Sequence, residues 1–397
     1  MNFQFPKGFF WGSATSAHQV EGGNINDWSA WEKANAGRLA LQSEKKSGRL
    51  PVWPEIKDRA QNSQNYISGK TCDHYNRFRE DFDIAKSLNQ NAHRFSIEWS
   101  RIEPEEGKFS EKEISHYREV VKALRERGIE PFITLWHWTI PLWFRDKGGW
   151  FNKNAPDYFA RYVRIVASVF PEVKFWITLN ETNVYAGKGY WEGIRPPQSK
   201  SLFRYLVVNR HLSRAHIAAY KIIKTANPEA CVGITHHIIY FTRFMNKLKN
   251  YFWNHLFFSS IRDCQDFIGL NYYHSDRDTA EHVKFKNWPF DPEGFYFILK
   301  DFAGRYEKPI YVIENGVWDE DERRSHFIAE HIGAMAKAMG EGADVRGYFY
   351  WSLLDNFEWD NGFCPRFGLV EMDYKTMERK IRTSARDYAK ICRDNRI

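Results

Sequence analysis

Two apolar runs in this chain end on a glutamate with an asparagine beside it. Phe175–Glu181 (FWITLNE) closes on Asn180 and Glu181, and Ile310–Gly316 (IYVIENG) closes on Glu314, Asn315 and Gly316. Two carboxyl groups facing each other across a pocket can cleave a glycosidic bond. One protonates the departing oxygen while the other meets the positive charge that develops on the sugar. A lone glutamate at the end of a strand is more often a solvated rim charge. Two of them, in a chain whose other apolar runs end in His137, Trp138, Tyr273 and Trp351, point instead to a shared centre. That reading requires a fold that brings the ends of distant runs to one place.

The pattern along the chain supplies such a fold. Short runs rich in β-branched and aromatic residues recur at Phe9–Thr15, Ala92–Trp99, Pro131–Trp138, Phe175–Glu181, Cys231–Ile238, Phe267–Tyr273, Ile310–Gly316 and Gly347–Asp355. Each is bounded by turn residues and is separated from the next by enough chain for a helix. Helical patterning is explicit over Ser110–Arg127, which opens on the capping-box-like pair Ser110 and Glu113, and over Ala155–Val169, which carries Pro156 in its first turn. Strand then helix, repeated, predicts an α/β chain folded as a single (β/α)8 TIM barrel. Its reactive side chains would stand at the C-terminal ends of the strands. Residues 1–397 are read as one domain, and the polar stretch Gly37–Lys70 as a surface excursion rather than a linker.

Composition bounds the alternatives. Lys and Arg number 57 against 50 Asp and Glu, a net charge of +7 without long single-sign blocks, which speaks for solubility and against nucleic-acid binding. The aromatic content, 17%, is high; such residues are more often core, though their faces also stack on sugar rings and bases. Five scattered cysteines (Cys72, Cys231, Cys264, Cys364 and Cys392) form no paired spacing, so neither a disulfide framework nor a zinc site is expected, and a reducing, cytoplasmic setting fits. The start, MNFQFPKGFF, reads as neither a signal peptide nor a membrane span.

A series of motifs runs in order through nearly the whole chain: FFWGSATSAHQVEG at 9–22, CDHYNRF at 72–78, NAHRFSIEWSRIEPEEG at 91–107, TLWHW at 134–138, TLNET at 178–182, DFIGLNYY at 266–273, VIENG at 312–316, YWSLLDNFEW at 350–359 and RFGLV at 366–370. In this the sequence resembles glycoside hydrolase family one, the β-glucosidase-like retaining β-glycosidases, in a shortened form. The resemblance implies that Glu181 is the general acid/base and Glu314 the nucleophile, with Arg94 and Tyr273 holding Glu314 ionised by lowering its pKa. It implies a sugar-binding ring of Gln19, His137, Trp138, Asn180, Asn271, Glu358, Trp359 and Phe367 above a Trp351 platform, with Asn180 on the 2-hydroxyl. Glu358 implies a neutral substrate, since a carboxylate there repels a 6-phosphate. The implied partner is a small β-glycoside or oligosaccharide; no metal and no cofactor are called for. A 6-phospho-β-glycosidase, a carbohydrate-binding barrel of weak activity and a homo-oligomer remain open alternatives.

The chain departs from the family at Thr182, where proline is usual, and between Asn227 and Asn271, where the connection is shorter. That shortening thins the wall on the leaving-group side. The basic, aromatic segment FTRFMNKLKNYFWNHLFF at 241–258 reads first as a covering helix, with a second-subunit interface, a membrane surface or a site for a hydrophobic aglycone as the alternatives. His236 and His237 are neighbours on a strand and so point to opposite faces, which disfavours a shared metal. Cys364 reads as a structural thiol, Asn180-Glu181-Thr182 as a chance glycosylation sequon, and Trp11, Trp28, Trp31, Trp99 and Trp176 as packing residues.

Overall fold

Eight parallel strands close on themselves in sequence order: β1 (Phe10–Ala14), β2 (Ala92–Ser96), β3 (Glu130–Thr134), β4 (Phe175–Asn180), β5 (Cys231–Tyr240), β6 (Ile268–Ser275), β7 (Ile310–Asn315) and β8 (Val345–Trp351), with β8 pairing back to β1. Helices lie between them, so the barrel expected from the alternating pattern is the fold found. This is a computed structural model, and it describes residues 3–242, 246–276, 288 and 290–397. Each strand sits inside or within two residues of an apolar run, because those runs alone are buried on both faces.

The helices follow their local signals. Glu111–Glu126 begins where the Ser110 side chain accepts the Glu113 backbone N–H, and Ala155–Val169 carries its proline in the first turn, where no N–H is needed. The excursion at 37–70 is more ordered than its polar composition suggests. The helix Asp27–Ser47 runs well into it, and a second helix, Trp53–Ala60, buries Trp53 and Ile56. A few apolar anchors suffice to fold a polar stretch back onto the barrel. Of the segment 241–258, residues 243–245 lie outside the described residues; the remainder is helical from Lys247 onward, as the covering-helix reading expects.

Aromatic rings fill the lower barrel. Phe132 of β3 stacks on Phe175 of β4 at 4.2 Å, and it also reaches Tyr311 of β7 at 5.5 Å and Phe349 of β8 at 4.7 Å. Rings from strands that are not neighbours can meet only inside the barrel, so this layer is a packed floor rather than a channel. Trp11, Trp99 and Trp176 are buried, as expected of packing residues.

The strand pairing is irregular where the chemistry must be aimed. Register shifts occur between Ile177 and Asn180 in the β4–β5 pair, between Leu270 and Asn271 in β6–β7, and between Val312 and Asn315 in β7–β8. Each shift re-aims the last side chains of its strand toward the mouth. Gly316, directly after β7, allows a close approach: a Cβ there would lie 2.0 Å from the Trp351 carbonyl oxygen. Gly316→Ala is therefore expected to lose on the order of 1–3 kcal/mol of stability through overpacking. Thermal denaturation of the variant should show a lower midpoint, and an unchanged midpoint would contradict the close approach.

Candidate active site

At the C-terminal mouth of the barrel lies a cavity of about 380 Å³, lined by Gln19, His137, Trp138, Glu181, Val184, Lys188, Arg195, His237, Ile239, Trp253, Tyr273, His274, Trp288, Glu314, Trp351, Glu358, Trp359 and Phe367. Ten of the residues expected from the sequence line it. The other three, Arg94, Asn180 and Asn271, form a buried layer directly beneath, each at most 1% exposed. A larger cleft of about 590 Å³ lies elsewhere, beside Trp31, Tyr185 and Tyr190, with Asp27 as its single carboxyl group among the described residues, so it lacks a reactive pair.

Glu181 and Glu314 reach the same cavity with unlike partners. The Glu314 carboxylate is paired with the Arg94 guanidinium on one oxygen and accepts the Tyr273 hydroxyl at 2.7 Å on the other. Arg94 is itself held at every nitrogen: Nε donates to Thr134 Oγ1 and Nη2 to Asn180 Oδ1, both at 2.7 Å. Glu181 accepts one hydrogen bond, from Asn271 Nδ2 at 2.9 Å, and has no ion pair among the described residues. Burial and the nearby Glu314 charge push its pKa up to about 8, against the pull of Asn271 and Arg94.

Glu314 corrects one expectation. The guanidinium and the phenol do pull its pKa down, but burial outweighs them and the net direction is upward. The asymmetry of the pair still holds. With the cation and the phenol on Glu314, that carboxyl gives up its proton before Glu181 does.

The surrounding polar atoms are mostly spent on one another. Asn180 accepts from Arg94, from Thr235 Oγ1 at 2.6 Å and, weakly, from Asn271, while its Nδ2 lies 3.1 Å from His137 Nε2. That amide nitrogen can only donate, so His137 Nε2 accepts and the ring proton sits on Nδ1. Burial, with Arg94 near, keeps this histidine neutral. Its Nδ1–H is buried and without a partner among the described residues, an ordered donor on the cavity wall. Gln19 Nε2 donates to the Phe357 carbonyl at 2.9 Å, to Asn356 and to Glu358, so it organises the loop that carries Glu358. The Trp138 indole donates to the Asn180 carbonyl at 3.1 Å, which leaves its ring, not its N–H, for a ligand.

Three of these positions hold left-handed backbone: Trp138 (φ 76°), Glu181 (φ 46°) and Trp359 (φ 52°). Side chains other than glycine rarely adopt it, and it is kept here where aim matters. Thr182 begins the short helix Thr182–Ala186 immediately after, in place of the usual proline, and its buried hydroxyl has no partner among the described residues.

The sequence reading missed Lys188, Arg195, Trp253, Trp288 and the pocket role of His237. Trp253 comes from the covering helix, Trp288 from the long β6–β7 connection, and Arg195 from an irregular loop before a Pro-Pro pair. No periodicity marks such residues. Strand parity did mark His237: it faces the cavity while His236, on the other face, donates to the Trp253 carbonyl at 3.0 Å. No cluster among the described residues could hold a metal. Cys364 is buried beside Asn65 with its thiol pKa pushed up to about 11, consistent with a structural thiol.

The model of glycosyl hydrolase family 1 matches residues 1–251 and 275–397. Beta-glucosidase A of Thermotoga maritima is 34% identical over 457 aligned positions, covering 99% of this chain and 98% of the relative. A beta-galactosidase of Sulfolobus acidocaldarius is 30% identical, with 99% and 96% covered. Among solved structures, a beta-glycosidase from Pyrococcus horikoshii superposes with a TM-score of 0.86 at 37% identity over 100% of this chain and 96% of that one. The 457 aligned positions exceed the 397 residues here, so the Thermotoga relative carries segments that this chain lacks. No helix among the described residues is long and apolar enough to cross a membrane.

Burial also raises the pKa of Glu358 to about 8, with Arg195 opposing. A carboxyl that is neutral when folded and ionised when unfolded contributes stability below its unfolded pKa, and this is lost as pH rises toward the folded value. Glu358→Gln removes that dependence. Relative to the wild type, the variant should gain stability, on the order of a few kcal/mol, between pH 5 and pH 8, read as the difference in melting midpoint at the two pH values.

Proposed function

Given that the chain belongs to glycosyl hydrolase family 1, we propose that it is a retaining, exo-acting β-glycosidase for neutral β-glucosides, with β-galactosides and β-fucosides as further substrates, and that the whole chain works as one catalytic domain. The observation that carries the reading is the unequal environment of two carboxyl groups on one cavity. Glu314, against Arg94 and Tyr273, is the nucleophile; Glu181, with one amide donor and a pKa near 8, is the acid.

In the first step Glu181 protonates the aglycone oxygen as a Glu314 oxygen attacks C1, the glycosidic bond breaks and a glycosyl ester forms. Glu314 then carries no charge, so the repulsion that helped hold the proton on Glu181 disappears. Glu181 can now take a proton from water, which attacks C1, breaks the ester and releases the sugar with its β-configuration retained. Asn271 influences both carboxyl groups, and it is the residue of β6 that pairs in register with Glu314 of β7. That proximity favours the short carboxyl spacing of double displacement over the wider one needed to fit a water between them.

His137 Nδ1–H and Glu358 present a donor and an acceptor to sugar hydroxyls, and the Trp351 and Trp138 rings supply the apolar faces. Trp253 and Trp288, whose indole N–H groups have no partner among the described residues, stand on the same cavity and suit the leaving group. Alcohol acceptors that replace water there give transglycosylation.

Glu314→Gly is expected to abolish hydrolysis of nitrophenyl β-glucoside. Added azide should restore part of it with an α-configured glycosyl azide as product; full activity without azide refutes the nucleophile assignment. The plot of log kcat/KM against pH should fall on the alkaline side near pH 8 as Glu181 ionises, and Glu181→Gln should lose that limb together with most activity toward poor leaving groups. Comparison with nitrophenyl β-glucoside 6-phosphate separates neutral from phosphorylated substrates. Sugar binding without turnover of any glycoside would make the chain a binding protein instead.

A further inference from the structure

Arg195 occupies the cavity wall in a way that a rim arginine does not. Its Nε donates to Asp360 Oδ1 at 2.8 Å and its Nη2 lies 2.7 Å from the same oxygen. The guanidinium carbon stands 5.0 Å from the centre of the Trp138 ring. Asp360 is anchored in turn by Lys46 Nζ at 2.7 Å. An ion pair on one edge and an aromatic face beneath fix this cation in place. Its Nη1 has no hydrogen-bond partner among the described residues. Arg195 and Glu358 both line the cavity, close enough for the cation to act on the carboxyl group, and no ion pair joins them among the described residues.

We propose that Arg195 is a specificity-determining residue, whose Nη1 donates to the same hydroxyl of the nonreducing sugar from which Glu358 accepts, with Asp360 as the positioning residue that aims it. A hydroxyl group is both donor and acceptor, and a fixed cation facing a carboxyl group satisfies both roles at once. The pair thereby distinguishes sugars by the presence and configuration of one hydroxyl. Arg195 opposes the burial that holds Glu358 neutral, and the carboxyl group keeps an oxygen able to accept in either form.

The inference rests on the β-glycosidase reading, so the test is a ratio between sugars. Nitrophenyl β-glucoside, β-galactoside, β-fucoside and β-xyloside differ from one another at C4 and C6 and share a leaving group. Effects of Arg195 on Glu181 or on folding strike all four alike and cancel in the ratio. For Arg195→Met, kcat/KM should fall about 10- to 100-fold more for the sugars that carry the contacted hydroxyl than for those that lack or invert it, chiefly through KM. Asp360→Asn should shift the ratio in the same direction by less, and Arg195→Lys should restore part of it. Lys46→Met, which removes the anchor on Asp360 but leaves the Arg195–Asp360 pair, should shift the ratio in the same direction by less than Asp360→Asn does. An equal loss on all four sugars overturns the proposal while leaving the glycosidase reading intact; no turnover of any of them by the wild type overturns that reading instead.

Discussion

The site depends on one buried cation. Arg94 is fully enclosed, its charge is taken out of water, and it is matched by the Glu314 carboxylate and by neutral oxygens of Thr134 and Asn180. Removing either member of such a pair would leave the other charge buried alone, at a cost of about 3–5 kcal/mol. The pair is thus a poor device for stability and a strong one for placement. Thr134, Asn180 and Glu314 end or nearly end three different strands, so the guanidinium on β2 fixes the relative positions of β3, β4 and β7 at the mouth.

From that constraint the division of labour between the carboxyl groups follows. Both glutamates are buried and both resist ionisation. Contact with Arg94 separates them, because the cation touches one and acts on the other only at a distance. Two identical side chains acquire different proton affinities from geometry alone, and that geometry comes from register shifts and left-handed residues at the strand ends rather than from the regular sheet. The aromatic floor below supplies rigidity: with Phe132, Phe175, Tyr311 and Phe349 interlocked, the polar layer above cannot settle inward.

The barrel and the two glutamates were legible in the sequence because both depend on short-range signals. Runs buried on both faces stay apolar, and a strand that ends in Asn-Glu or Glu-Asn announces a polar mouth. The pocket roles of Trp253, Trp288 and Arg195 were not legible, since loops and irregular helices carry no period that says which way a side chain points. The helical nature of the stretch after Gly37 was hidden for another reason: its polar face dominates the composition, and Trp53 and Ile56 are too few to set a pattern. The direction of the Glu314 shift was misjudged because partners can be read from motifs whereas the depth of burial cannot.

One consequence reaches beyond the barrel. The helix Asp27–Ser47 packs Trp28 against Trp359 near its start, and near its far end Lys46 grips Asp360, the residue after Trp359. The outlying helix therefore works as a strut braced against the pocket lining. Loosening it from outside, by proteolytic nicking or by crowding from a neighbouring molecule, would be transmitted along an electrostatic linkage to the chamber where the sugar sits, with no barrel strand needing to move.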